Sequence, residues 1–152
     1  MAVAAAATGV VGDKVGFWRR TGAYLFDAIG LAIITSIIGG ILYPAPAVPI
    51  GSSGDDFATA YSRGSGFNLL VNAAYFVGLW VYWNGQTLGM KVLGIKVVKT
   101  DGSALTLSTG IIRFIGLIIS FICLLIGVIW VAFDANKQGW HDKIASTYVV
   151  KA

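Results

Sequence analysis

Charge is what this sequence has least of. Asp, Glu, Lys and Arg together make up only 12% of its residues, where a soluble globular domain carries about 25%. That shortage is the class signal, and 57% hydrophobic residues with a mean hydropathy of +0.78 agree with it. Cysteine is almost missing too. The one present, Cys123, lies inside an apolar run and reads as a small buried hydrophobe, so neither an intrachain disulfide nor a multi-cysteine metal site can form. A single histidine, His141, and no Ser or Cys motif to activate leave an enzyme without a nucleophile or a metal cluster. No metal or cofactor is expected. The net charge of +4 does not point to nucleic acid, because the 11 Lys and Arg stand singly between apolar stretches with no basic face interleaved with aromatics. A cleaved signal peptide is also excluded: the start is small and apolar, but Arg19 and Arg20 follow the apolar part instead of preceding it.

What the sequence does have is three apolar stretches, at residues 21–43, 67–83 and 111–133. Each is near the length of about 20 residues that a spanning helix needs. Phe17, Trp18, Trp80, Tyr82, Trp83, Trp130 and Trp140 cluster near their ends, where amphipathic rings sit at headgroup depth. The fold expected is an all-α integral membrane protein, a small bundle of about three transmembrane helices. Residues 1–15 are a short N-terminal cytoplasmic segment, and residues 16–152 form one transmembrane domain.

Two polar connections separate the stretches. Residues 44–66 hold three prolines, several Gly and Ser, Asp55 and Asp56, and one basic residue, Arg63, which reads as a polar loop. After residue 94, Ile95-Lys96-Val97-Val98-Lys99 reads as a strand, Thr100-Asp101-Gly102-Ser103 as a turn, and Ser146-Thr147-Tyr148-Val149-Val150 as a second strand, together a short cytoplasmic hairpin-like element. Lys and Arg number three before the first stretch (Lys14, Arg19, Arg20), one in the first loop, four in the second (Lys91, Lys96, Lys99, Arg113) and three in the tail (Lys137, Lys143, Lys151). Positive charge marks the cytoplasmic side, so the N-terminus and the second loop are expected inside and residues 44–66 outside. Three plain crossings would put the tail outside, although its charge and its strand belong inside. Either the third stretch is a plain span, or it is a broken or re-entrant pair bent near residues 123–127, which is tolerated where protein covers the broken backbone.

The residue most expected to carry chemistry is Asp27, because charge within a bilayer costs about 2.5 to 3.5 kcal/mol on insertion scales. Arg20, two helical turns earlier, projects from nearly the same face and can reach down toward it. Ala28, Ala32, Ser36 and Gly40 form a small-residue stripe for close helix packing. Asn68, Asn72, Tyr75 and Tyr82 are the expected partners of Asp27 from the second stretch. Arg20, Asp27 and the asparagines serve equally well as glue between helices or as an ion site. The run from Gly85 to Lys91 fails the phosphate-loop template, with only three residues between its glycines and Val92 where Ser or Thr is required, and reads as a membrane exit turn. His141, Asp142 and Asp134 are expected to cap helices and hydrogen-bond at the interface.

Three separated segments resemble the RDD family: Gly16-Phe17-Trp18-Arg19-Arg20-Thr21-Gly22-Ala23-Tyr24-Leu25-Phe26-Asp27, Gly85-Gln86-Thr87-Leu88-Gly89-Met90-Lys91-Val92-Leu93-Gly94-Ile95-Lys96-Val97-Val98, and Gln138-Gly139-Trp140-His141-Asp142-Lys143-Ile144-Ala145. The family is named for one arginine and two aspartates. The resemblance assigns these to Arg20, Asp27 and Asp142, with Asp134 as the second choice for the last, and Ser146 stands where the closing motif usually has glycine. It implies a multi-pass protein of the cell membrane, and a transport function, since some members are assigned monovalent cation/proton antiport. The expected partners are the lipid bilayer, monovalent cations and protons, and further copies of the chain in a homo-oligomer, because three helices alone enclose little pathway. Asp27 would bind cation and proton in turn, tuned by Arg20. The alternative is a non-transporting accessory or assembly subunit that docks on another membrane protein through the stripe from Ala28 to Gly40.

Overall fold

A computed structural model describes residues 12–42, 51, 53–123 and 125–152, the side chains of residues 56–64 excepted. Most of residues 1–15, the end of the first expected span at Tyr43 and the proline-bearing residues 44–50 lie outside the described residues.

Helix α1 (Phe17–Leu42) is inverted relative to a helix of a soluble protein. Two of its three charged residues are inside, Arg20 at 3% and Asp27 at 1% exposure, while Arg19 is exposed in the first turn and Trp18 and Ile41 are 82% and 74% exposed. Only Arg20, Ala23, Asp27 and Leu31, one face at steps of three and four, turn inward. Beyond Arg19 in the first turn the outer surface of α1 is almost wholly apolar, a surface suited to lipid, and α1 is long and apolar enough to cross a membrane.

Helix α2 (Gly54–Tyr82) corrects the sequence reading at its start. Residues 54–66 are helix, not loop, because glycine and serine cost a helix only tenths of a kcal/mol to about 1 kcal/mol each and no proline interrupts the run. Short helix α3 (Leu88–Val92) follows, capped by Thr87, whose Oγ1 accepts the Met90 N–H. Strand β1 (Ile95–Lys99) ends in the expected turn, where Asp101 Oδ1 accepts the Ser103 N–H at 2.9 Å.

The third stretch is broken, as one of its two readings held. Helix α4 (Leu107–Ile122) stops at Cys123, and α5 (Ile126–Ile129) with the 3₁₀ turn Trp130–Ala132 leaves it at 112°. The return is close: a Cβ on Gly127 would lie 2.4 Å from Ser120 Oγ, so only glycine lets α5 fold back here. Helix α6 (Trp140–Ile144) then packs along α4, and β2 (Thr147–Lys151) pairs antiparallel with β1 in the register Val97 to Val149. The tail strand therefore sits on the same side as the second loop. Residues 13–15 flank β2 on its free edge, with the Val15 N–H donating to Val149 O at 2.9 Å.

Among the described residues the molecule is thus mostly helical, with one helix fit to cross a membrane, a bent pair that reaches that length only when taken together, and a small two-stranded sheet. Its core joins the bundle to the sheet through Ala23, Phe76, Trp80, Met90, Val97, Phe114 and Val149.

Candidate functional site

Two buried carboxylates hold the inner end of α1. Asp27 accepts three hydrogen bonds: Tyr75 Oη to Oδ1 at 2.7 Å, Thr87 Oγ1 to Oδ2 at 2.5 Å, and the Gly89 N–H to Oδ1 at 2.8 Å. One side chain thereby ties α1 to α2, to the cap of α3 and to its backbone. Gly89 is required by distance, since a Cβ there would stand 2.1 Å from Ala23 O. The glycine turn from residue 85 to 91 is therefore the dock for Asp27.

Asp142, fully buried on α6, is the second node. Arg20 Nη1 and the Gly139 N–H, the latter at 3.0 Å, donate to Oδ2, and Arg113 Nη1 donates to Oδ1. Arg113 Nη1 also donates to Thr147 Oγ1 at 2.6 Å, and its guanidinium lies 4.9 Å from the Trp80 ring centroid. Arg20 donates further to Val15 O from Nε, at 3.0 Å, and to Lys137 O from Nη2. Burial alone would raise the Asp142 carboxyl, but the charges of Arg113 and Arg20 outweigh it and hold the group well below the usual carboxylate range. Burial pushes the neighbouring His141 down to about 4, with Asp142 opposing and the two arginines reinforcing it. Its imidazole is neutral at pH 7.

The expected site residues divide accordingly. Arg20 meets Asp142 and not Asp27 among the described residues, because its guanidinium turns out of α1 toward α6 and the loop before it. Tyr75 does reach Asp27, while Tyr82 is 82% exposed and points away. Asn68 and Asn72 hydrogen-bond along α2, Asn72 Nδ2 to Asn68 O at 2.7 Å, and line a cleft of about 570 Å³ between α2 and α4 with Ser65, Phe76 and Phe114. No hydrogen bond connects either asparagine to Asp27 among the described residues. Asp134 stands apart, paired with Lys143 and accepting the Asn136 and Gln138 N–H groups, both at 3.1 Å; the Lys143 bond lowers its carboxyl. Ala28, Ala32, Ser36 and Gly40 are all exposed. Thr87, Gly89, Arg113 and Thr147 were not foreseen as site residues. Of these Arg113 had a signal, as the one charge within the third apolar stretch.

This pairing of an arginine near the start with an aspartate near the end comes with a match of residues 14–146 to the model of the RDD family. The chain belongs to the RDD family. Of the residues that the resemblance assigned to the family's name, Arg20 and Asp27 lie on α1, Asp142 is gripped by Arg20, and Asp134 pairs with Lys143. Three relatives from Bacillus subtilis (strain 168) are similar over nearly the whole chain. Uncharacterized protein YckC is 34% identical over 90% of this chain and 84% of its own length. Uncharacterized membrane protein YteJ is 39% identical over 89% and 79%. Uncharacterized protein YxaI is 33% identical over 89% and 95%. No solved structure matches this RDD protein. Family and composition together make it a membrane-associated protein.

Proposed function

We propose that this RDD protein is a small multi-pass transport protein of the cell membrane, exchanging a monovalent cation for protons at Asp27. In this reading α1, α2 and the α4 to α5 hook cross or enter the bilayer. The N-terminus and the β1–β2 element face the cytoplasm, and several copies assemble to enclose a pathway. The observation that carries it is the ring of hydroxyls on a buried carboxylate. Tyr75 Oη and Thr87 Oγ1 each donate to Asp27 and each accept a backbone N–H, from Leu88 at 3.4 Å and Met90 at 3.2 Å. Each oxygen keeps a further lone pair. Rotation about its C–O bond turns a hydroxyl from donor to acceptor without moving the oxygen, so the same three side chains can hold either a proton network or a small cation. A carboxylate in low dielectric does not hold proton and cation together, and that competition couples the two fluxes. Tyr75, half-buried, joins the fully buried Asp27 to a partly exposed side chain.

The test is ion-driven proton flux in liposomes containing only the purified chain. Wild type should support it and Asp27→Asn should not, although both fold. Equal flux in the two would sink Asp27 as the ion site.

A second reading rests on a different observation. The Ala28, Ala32, Ser36 and Gly40 stripe is exposed in a single chain, which suits an accessory subunit that packs this face against another membrane protein. Absence of flux from wild type at any pH, with Ala32→Leu disrupting a complex, favours it.

A further inference from the structure

The cleft of about 570 Å³ between α2 and α4 has two unlike walls. Helix α4 lines it with apolar side chains alone, from Phe114 to Phe121, whereas α2 adds Ser65, Asn68 and Asn72. Asn72 Nδ2 donates to Asn68 O at 2.7 Å; the Asn72 Oδ1 and the Asn68 amide have no hydrogen bond among the described residues. An acyl chain in this cleft would leave those groups in hydrocarbon, the solvent in which an unmet polar group costs most. Water meets them instead, and the cleft has both the polar partners and the room that water needs. Polar side chains on membrane helices face the bundle interior or a water-filled cavity for this reason.

Aromatic rings close the cleft at one end. Phe76 and Phe114, both buried, stand 6.2 Å apart, and Phe76 packs on Trp80 at 5.5 Å. The polar route turns sideways there. Tyr75 meets Phe76 edge-on at 5.3 Å. It follows Asn72 by three residues and Asn68 by seven, spacings that put all three on neighbouring lines of one helix face. Its hydroxyl donates to Asp27 Oδ1 at 2.7 Å. Ser65, Asn68, Asn72 and Tyr75 thus carry polar groups about 15 Å along α2 to the buried carboxylate.

We propose that the α2–α4 cleft is a water-filled vestibule through which cations and protons reach Asp27, with Asn68 and Asn72 as its polar wall and Tyr75 as its last group. This deepens the transport reading and rests on it. No charged side chain lines the cleft, so a cation passes over amide and hydroxyl oxygens without being trapped before Asp27.

The test is the reaction rate of single cysteines, placed in a Cys123→Ala background in proteoliposomes, with a cationic thiosulfonate present on both sides of the membrane. The reagent attacks the thiolate, which forms in water and not in hydrocarbon. Leu70, 71% exposed and outside the cleft, is the control, since two residues of helix turn it away from both asparagines. Asn68→Cys and Asn72→Cys should react faster than Leu70→Cys by about tenfold or more. Modification of either should then stop ion-driven proton flux, measured on the same vesicles before and after. Should Asn72→Cys not fold, Asn68→Cys, at an exposed position, carries the test. Reaction no faster than that of Leu70→Cys shows that lipid fills the cleft and overturns the proposal. Fast reaction with flux unchanged also overturns it, since the cleft is then wet but is not the path, and Asp27 keeps its role by another route. Absence of flux in wild type is instead failure of the transport reading, and the path falls with it.

Discussion

Arg20 and Asp142 stand 122 residues apart in the chain and meet as a buried ion pair. The contact fastens the first helix to the last, so the short elements between them are enclosed by it. Arg113 grips the other oxygen of the same carboxylate, which makes Asp142 the point where α1, α4 and α6 converge.

Removing that carboxylate's charge should cost more than removing any surface ion pair. In Asp142→Asn two buried guanidiniums lose their counter-charge, and breaking one side of a buried pair costs about 3–5 kcal/mol. The expected outcome is a large drop in melting temperature or failure to fold in detergent. Asp13→Asn, which breaks an exposed pair with Lys151, should leave the melting temperature within error.

The dock of α3 on α1 gives a second expectation. An added Cβ on Gly89 meets Ala23 O at 2.1 Å, and neither backbone can move without dragging the Asp27 hydrogen bonds. Gly89→Ala should destabilise by about 1–3 kcal/mol, the usual cost of overpacking. Gly30→Ala meets nothing within 4 Å and should be neutral or slightly stabilising, as measured by thermal unfolding of both variants.

The elements of this fold were legible where periodicity or composition carried them. The α1 helix, both strands and the break near residues 123–127 follow from apolar length, β-branched runs and the side on which the tail strand must lie. The start of α2 was not legible, because Gly, Ser and Asp mark loops in general, although their cost to a helix is small and no proline interrupts the run. At the site, Asp27 stood out as a charge within an apolar stretch and Tyr75 was named by helical spacing, both of them local signals. The partner of Arg20 was not, since a pairing over 122 residues leaves no periodic trace, and helical spacing favoured Asp27 instead. Arg113 was counted as loop charge because it sits near the start of α4, although its side chain turns into the core.

Sidedness follows from the strand pairing together with charge. Because β1 and β2 are paired, cysteines placed at Ser103 and at Ala152 must label from the same face in a Cys123→Ala background. If the proposed orientation holds, with that face inside, membrane-impermeant reagent should reach Ser53→Cys from outside and neither of the other two. Labelling of Ser103→Cys from outside would invert the orientation. Opposite labelling of Ser103→Cys and Ala152→Cys would contradict the sheet.

Acid should loosen the end of the molecule built on α6 and the sheet, and His141 sets the window. Its value falls from 6.5 to about 4 on folding, because burial disfavours the charged ring and its ring nitrogens find no hydrogen bond. Between those values the unfolded chain holds a proton that the folded chain refuses, so stability rises with pH there and falls as pH drops from 6.5 toward 4. The loss amounts to about 3 kcal/mol, at 1.36 kcal/mol per unit. Asp142 works in the same direction at lower pH: its depressed carboxyl stabilises the fold above about 4, and that contribution fades as pH falls further. His141→Leu should fold, since no hydrogen bond is given up, and should show flat stability from pH 8 to about 4.5 where wild type declines. An equal decline in the variant would assign the acid sensitivity elsewhere.

The ring around Asp27 separates transport from adhesion most directly through Thr87. Its Oγ1 accepts from Met90 and donates to Asp27 at 2.5 Å, so it both caps α3 and completes the carboxylate's shell. Thr87→Ser keeps both roles, and Thr87→Val keeps the shape while removing both. If Asp27 only ties helices together, Thr87→Val should cost about 1–2 kcal/mol from the lost cap and hydrogen bond, and any flux should fall only in proportion to the folded fraction. If Asp27 exchanges a cation for a proton, the hydroxyl is one of the oxygens that must turn toward the cation. Cation affinity should then drop at least tenfold in Thr87→Val reconstituted at equal folded amounts, while Thr87→Ser stays near wild type. Tyr75→Phe should act in the same direction, since it removes the other hydroxyl and keeps the ring. The decisive quantity is the cation concentration that half-saturates proton flux. A shift in it for both Thr87→Val and Tyr75→Phe, with melting temperatures adjusted for, assigns the hydroxyl ring to the ion. An unchanged value in both would leave Asp27 as the clamp that joins α1, α2 and α3.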